Sequence, residues 1–226
     1  MTDEAAGHLR AIIELDPGDS TAHTQLGTAL ARKGRLCEAI GHFRQALKFE
    51  PHDGRAHNGL GAALARTGEL EEAIDHLRIA LGIRADLFDA HYNLARALTV
   101  TGRPSEALNH YRQALRLKPD SPVILGATAW ILATHPDAAI RDGPTAIEHA
   151  ERAAQLTENP MTLDTLAAAY AEAGDFDRAA ATARRAMDLA AASSAFMVEQ
   201  IRRRIELYER AKPYRESPAG TAAPSP

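Results

Sequence analysis

Apolar and small residues recur three and four positions apart along most of this chain, in short stretches divided by polar breaks. Between Ser20 and Pro51 they fall at His23, Leu26, Gly27 and Leu30, then at Leu36, Ala39, Ile40, Phe43, Ala46 and Leu47. That spacing holds them on one side of an α-helix, so each half predicts a short amphipathic helix. Gly34 stands between the halves, where glycine adopts the left-handed cap without steric cost. Pro51 follows the second half, where its missing N–H does no harm. Gly27 and Ala39 are small where two helices need close approach.

The pattern returns every 34 residues. His57, Leu60, Gly61, Leu64, Gly68, Ala73, Leu77 and Ala80 repeat it, then His91, Leu94, Ala95, Leu98, Gly102, Ala107, Tyr111, Ala114 and Pro119. A unit too small to bury its own stripe must stack on its neighbours. The expected fold is therefore all-α, an α-solenoid of stacked antiparallel helix pairs forming one array over residues 1–212. A half repeat spans 1–19, carried by Ala5, Leu9, Ile12 and Pro17. Regular repeats span 20–53, 54–87 and 88–121, an expanded repeat spans 122–159, a further repeat spans 160–193 and a C-terminal capping helix spans 194–212. The extra length of the fourth repeat falls in the loop 134–145, between the helix of Trp130 and that of Ala146. The last helix carries Ile201, Ile205 and Tyr208 on one side, with Glu199/Arg203 and Glu206/Arg210 on a polar side suited to a terminal repeat. Residues 213–226 have the Pro, Ala, Ser and Gly content of a disordered tail. The start on a second helix reads either as a natural cap or as the C-terminal piece of a longer protein, and Leu9 and Ile12 favour the second.

These positions resemble the signature of the tetratricopeptide repeat, which has this length and a helix–turn–helix unit. The resemblance covers three full units and implies a right-handed superhelix that holds other proteins. Residues 122–216 are also similar to a C-terminal portion found in bacterial tetratricopeptide proteins, through AWILATHPDAAIRDG, AIEHAERAAQLT, LDTLAAAYAEAGDFDRA and the closing PYRE. In that group the repeats often end longer chains, some with membrane-embedded N-terminal regions. The positions matching the carboxylate clamp of chaperone-binding members hold Thr24, Thr28, Gly59, Asp89 and Asn93. Only the asparagine survives, so that function is not carried over. The asparagine-lined groove of O-linked sugar transferases is matched only by Asn93, with Gln25 as a near substitute.

The 226 residues carry a net charge of −4, so no global field draws nucleic acid. No apolar run approaches a membrane span, and the N-terminus lacks a signal-peptide pattern. A cytoplasmic chain is the default expectation, extracytoplasmic if it is fused to a membrane region. One cysteine, Cys37, permits no internal disulfide. No cofactor, metal or catalytic residue is expected. Ten histidines raise the question of a metal, but His23, His57 and His91 form one ladder and His8, His42, His76, His110 and His149 another. Equivalent residues of adjacent repeats lie about 8–10 Å apart, whereas zinc ligands lie about 2 Å from their ion. The ladders are repeat copies. GLGAAL at 59–64 lacks the third glycine and the preceding strand of a dinucleotide fingerprint. Ser20, Ser105 and Ser121 sit at helix starts, where serine caps free N–H groups.

What remains is a surface. First helices of such stacks line the inner, concave face. On their free side they carry Arg32, then Arg55, Asn58 and Arg66, then Tyr92, Asn93 and Arg96. Further along are Trp130, Asp164 and Glu172. The four arginines form an expected basic stripe with Trp130, the only tryptophan, as apolar anchor. Arginine and tryptophan are the residues most enriched at binding hot spots. The expected function is a non-catalytic interaction scaffold that takes an acidic peptide or protein segment with one apolar anchor. The alternative is a structural spacer or self-assembly arm of a longer chain, forming homo-oligomers through its N-terminal half repeat.

Overall fold

The computed structural model describes residues 3–216. Twelve helices occur among them: α1 (Asp3–Leu15), α2 (Ser20–Arg32), α3 (Leu36–Phe49), α4 (Gly54–Thr67), α5 (Leu70–Ile83), α6 (Phe88–Val100), α7 (Pro104–Leu117), α8 (Pro122–Thr134), α9 (Gly143–Leu156), α10 (Pro160–Glu172), α11 (Phe176–Ala190) and α12 (Ala195–Tyr208). No strand occurs among the described residues. None of these helices is long and apolar enough to cross a membrane.

The turns follow the glycine pattern. Gly34, Gly68, Gly102 and Gly174 have φ of 79°, 99°, 73° and 85°. After α2 the Gly34 N–H donates to Ala31 and the Arg35 N–H to Leu30, which satisfies carbonyls the helix leaves open. Helix starts differ from the serine expectation. Asp19 caps α2 by accepting from the Ala22 N–H at 2.8 Å, because Ser20 already lies inside the helix and is buried. Ser121 makes no side-chain cap bond to α8, and Ser105 lies within α7.

The chain divides into two compact units, Met1–Leu117 and Lys118–Pro226, where the sequence suggests one continuous array. Each repeat packs on its nearest neighbours, so an array can partition at a repeat boundary, and this division falls beside the third. In the first unit every pair of consecutive helices from α1 to α7 packs together. In addition α2 touches α4, and α4 touches α6, with no comparable contact among α3, α5 and α7. The first helices are thus the more crowded row, which makes theirs the inner side of this unit. The core runs through Leu26, Leu30, Phe43, Leu60, Leu64, Leu77, Leu94 and Leu98, all buried. Phe43 also explains two glycines. A Cβ on Gly59 would lie 2.5 Å from its ring, and one on Gly27 2.9 Å. The GLGAAL stretch therefore makes room for a phenyl ring of the preceding repeat.

The second unit is built on α8 and α10, which are apolar nearly all round. Residues 162–171 of α10 are all buried, as are Ile124, Leu125, Thr128, Ala129 and 131–134 of α8. A helix that is apolar on every side is covered on every side. Helices α9 and α11 pack on them, and α12 packs on α11. Helix α12 ends at Tyr208. Arg210, Ala211 and Lys212 then form a turn in which the Ala211 N–H reaches Tyr208 and the Lys212 N–H reaches Leu207. Ala211 takes φ of 53°, the described non-glycine residue in the left-handed region. The turn directs Pro213–Glu216 back over α8, so these four residues, expected in the disordered tail, are placed by specific contacts. The remainder of that expected tail lies outside the described residues.

Candidate functional site

In the first unit the inner row brings together some of the expected site residues and separates others. Asn58 and Asn93 are half-buried on α4 and α6, and the Asn93 amide donates to Asn58 Oδ1 at 3.2 Å. Arg96 lies over the Tyr92 ring, its guanidinium 5.6 Å from the centroid. Arg66 reaches back from α4 to α2, where its Nη1 donates to the Ala31 carbonyl at 2.7 Å. It thereby adds a second bond to a carbonyl that already accepts from the Gly34 N–H. Arg32, the last residue of α2, is exposed near the same end of the row. Arg55 stands apart at the start of α4, about 17 Å along the helix from Arg66. With Phe49, Ile83 and Arg84 it borders a hollow of ≈ 570 Å³ instead.

The charge pattern separates the two rows of helices. Two second-helix arginines are matched by glutamates of the next repeat, whereas Arg112 and Arg116 of α7 donate to Asn109 and Gln113. Arg44 pairs with Glu72 at 2.9 Å and Arg78 with Glu106 at 2.8 Å. Arg103, before α7, pairs with Glu71 at 3.2 Å. On the inner row, none of Arg32, Arg55, Arg66 and Arg96 has a carboxylate partner among the described residues. Four guanidinium groups thus remain without a carboxylate partner, and one of them, Arg96, lies over an aromatic ring able to orient a ligand.

Trp130 is placed differently from the expectation of an open apolar anchor. Its cover is the C-terminal segment. The indole N–H donates to Glu216 Oε1 at 3.1 Å, and the Tyr214 ring lies 5.9 Å from the Trp130 ring. The Arg204 guanidinium sits 5.5 Å from the Trp130 ring and 5.3 Å from that of Tyr214. The other inner positions of this unit are also engaged. Arg204 grips Asp164 with two bonds, 2.9 and 2.6 Å, and both side chains are 9% exposed. Burial raises the Asp164 carboxyl above its usual range, against the pull of Arg204. Glu172 accepts from Arg141 of the expanded loop at 2.9 Å and pairs with Arg215 at 2.5 Å. Arg141 also holds its own loop by donating to the His135 and Pro136 carbonyls. Sequence reasoning missed Arg204, Arg215 and Arg141. The signal available was the all-round apolar pattern of α8 and α10, which implies a covered inner face.

The histidine ladders combine into pairs within each repeat. His23 Nδ1 lies 3.0 Å from His42 Nδ1, with 2.9 Å for His57/His76 and 3.0 Å for His91/His110. The Nε2 of His23, His57 and His91 faces the carbonyls of Pro17, Pro51 and Ala85. A carbonyl only accepts, so each of these Nε2 atoms carries the proton and the facing Nδ1 accepts from the second-helix histidine. His42, His76 and His110 are lowered from the ordinary imidazole value, first by burial and then by the partner histidine. The sequence signal was histidine recurring 19 residues apart inside each of the three regular repeats. Among the described residues no group of three or more His, Cys, Asp or Glu could hold a metal ion.

Family models described as tetratricopeptide repeat match residues 2–51, 25–87, 88–121 and 160–185. No protein of curated function matches the sequence. Among solved structures, YrrB, a TPR protein with an unusual peptide-binding site, is 17% identical over 88% of this chain and 99% of its own, with a TM-score of 0.72. The pilF protein of Pseudomonas aeruginosa is 21% identical over 86% of each chain, also at 0.72. A chain of the APC/C hetero-tetramer Cut9-Hcn1 is 19% identical over 92% of this chain and 40% of its own, at 0.69. At such identities the likeness concerns the fold. With repeat models matching well over half of its length, the chain belongs to the tetratricopeptide repeat family, whose stacked helix pairs serve as protein-interaction scaffolds.

Proposed function

We propose that the inner row of the first unit binds an extended acidic peptide or protein segment without catalysing a reaction. The observation that carries this reading is the gathering of Arg32, Arg66 and Arg96 on one row without carboxylate partners among the described residues, whereas Arg44, Arg78 and Arg103 on the other side each pair with a glutamate. Arginine grips carboxylates through two parallel hydrogen bonds. The Asn58–Asn93 amides offer groups for a ligand backbone, and Tyr92, braced by Arg96, offers the apolar contact that the sequence reading assigned to Trp130. Arg55 belongs to a separate edge of this surface.

The test is fluorescence polarisation with labelled acidic peptides that carry one aromatic residue. Losing two charge-assisted contacts of about 1.5–3 kcal/mol each should weaken the tightest binder at least about a hundredfold in Arg66→Ala/Arg96→Ala. Raised salt should weaken it in the wild type. Unchanged affinity in the double variant, with its fold intact by circular dichroism, removes the assignment.

A second reading draws on α1, where Ile12 is 42% and Leu15 89% exposed. These apolar side chains suit stacking on another copy of the chain. Light scattering over a concentration series separates the readings, since stacking predicts growth in mass with concentration and peptide binding does not.

A further inference from the structure

We infer that the inner face of the second unit is a separate peptide site, selective for an extended aromatic–arginine–acid segment and filled here by the chain's own Tyr214–Glu216. Each of the three residues meets a different group. The Tyr214 ring packs against Trp130 beneath the Arg204 guanidinium. Arg215 donates to the Ala133 carbonyl at 3.2 Å and pairs with Glu172. Glu216 accepts the indole N–H of Trp130, and its backbone N–H donates to the Thr134 carbonyl at 2.9 Å. One backbone bond combined with a ring contact, a salt bridge and an acidic contact is the way an extended peptide is read by a groove.

Three features mark the segment as a ligand of this face rather than part of its framework. The residues 213–216 have no helical or strand structure, and apart from an Arg215 bond to the Tyr214 carbonyl the hydrogen bonds and ion pair described for them go to groups on α8 and α10. The receiving groups are held without it: Arg141 retains Glu172, and Asp164 retains Arg204. The turn that delivers the segment places Ala211, which has a Cβ, at φ of 53°. That conformation disfavours L-residues, so the segment leaves α12 through a turn held at a local cost. A covalently linked segment competes at a high effective concentration, which keeps the face closed to weaker segments. This site is independent of the acidic-peptide reading for the first unit. It takes a cationic-and-aromatic sequence and uses none of the same residues.

Trp130 is the only tryptophan in the chain and reports the site directly. In full-length Tyr214→Ala/Arg215→Ala, Trp130 emission should shift to the red and acrylamide should quench it more strongly. A capped peptide with the sequence of residues 212–216 should reverse both changes, a scrambled peptide should not, and adding Glu172→Gln should raise the concentration needed about tenfold, the loss of one ion-paired contact. A second measurement needs no variant. The same peptide bearing nitrotyrosine at the tyrosine position, added in excess to the wild-type chain, should quench Trp130 saturably. The inference is overturned if Trp130 in the folded double variant stays as shielded as in the wild type. It is overturned equally if neither peptide experiment shows saturable, sequence-dependent binding.

Discussion

Removing the Asp164 carboxylate tests how the second unit is held together. Asp164 and Arg204 are both buried and share two short bonds. Taking both charges out of water is expensive, and the raised Asp164 carboxyl records that burial outweighs the attraction of Arg204. In Asp164→Asn the guanidinium stays buried without its counter-charge, which costs about 3–5 kcal/mol. Replacing both partners, as Asp164→Leu/Arg204→Met, removes the two desolvation penalties together and is neutral or stabilising by about 1–4 kcal/mol in comparable pairs. Here part of that gain is offset, because Arg204 also faces the Trp130 and Tyr214 rings, contacts worth about 0.5–2 kcal/mol each. The double variant should therefore lie close to the wild type, well above the single one. Urea unfolding followed by Trp130 emission reads the right unit, since the ring lies 5.5 Å from the Arg204 guanidinium. With a slope of about 2 kcal/mol per molar, the single variant should lose roughly 1.5–2.5 M in midpoint. Far-UV circular dichroism should be run alongside, because repeat arrays need not unfold in one step. A midpoint for Asp164→Asn within about 0.5 M of wild type, roughly 1 kcal/mol, or a double variant as unstable as the single one, would refute the reasoning.

Three further outcomes follow from the geometry. His42, His76 and His110 have lowered pKa values, so the unfolded chain binds protons more readily than the folded one once pH falls below the usual 6.5. Stability of the first unit should be full above 6.5 and lost as pH falls toward the folded values. Denaturation midpoints across that range should show a flatter slope in His42→Gln/His76→Gln/His110→Gln, and a flat wild-type profile would sink the idea. Phe43→Ala empties the space that Gly27 and Gly59 leave for a fully buried ring and should cost about 3–5 kcal/mol. By contrast Gly126→Ala, in α8 with nothing within 4 Å of the added carbon, should gain up to about 1 kcal/mol; thermal melts of the two variants check the pair. Ala211→Gly relieves a left-handed alanine at the end of α12. It should not destabilise the chain and should gain a few tenths to about 1 kcal/mol, whereas a clear loss in melting temperature would contradict the cap geometry.

Much of the first unit was legible because it depends on local rules. The period, the glycine stops and the i, i+3, i+4 stripes place α2 to α7 and their core leucines. The candidate surface was only partly legible. Helical spacing puts Asn58, Asn93, Tyr92 and Arg96 on the free side of their helices. It is silent on Arg66 reaching the Ala31 carbonyl, and it grouped Arg55 with arginines about a helix length away. The least legible part was the neighbourhood of Trp130. Pro213–Glu216 reads as tail because composition measures only how much apolar area a segment can bury. Such a segment can still be held when a fitted ring contact, an ion pair and three hydrogen bonds converge on it.

The sequence alone determined the repeat unit, its helices and the family, since these rest on contacts between residues close together in the chain or one period apart. The tertiary structure decided which polar groups meet. Pairs such as His23/His42 are 19 positions apart, Asp164/Arg204 40 and Trp130/Glu216 86. Periodicity specifies which side of a helix a residue occupies, but a salt bridge or hydrogen bond is settled within a few tenths of an ångström by packing between helices. That difference in length scale is why the scaffold could be read from the chain, while the occupied face around Trp130 required the folded structure.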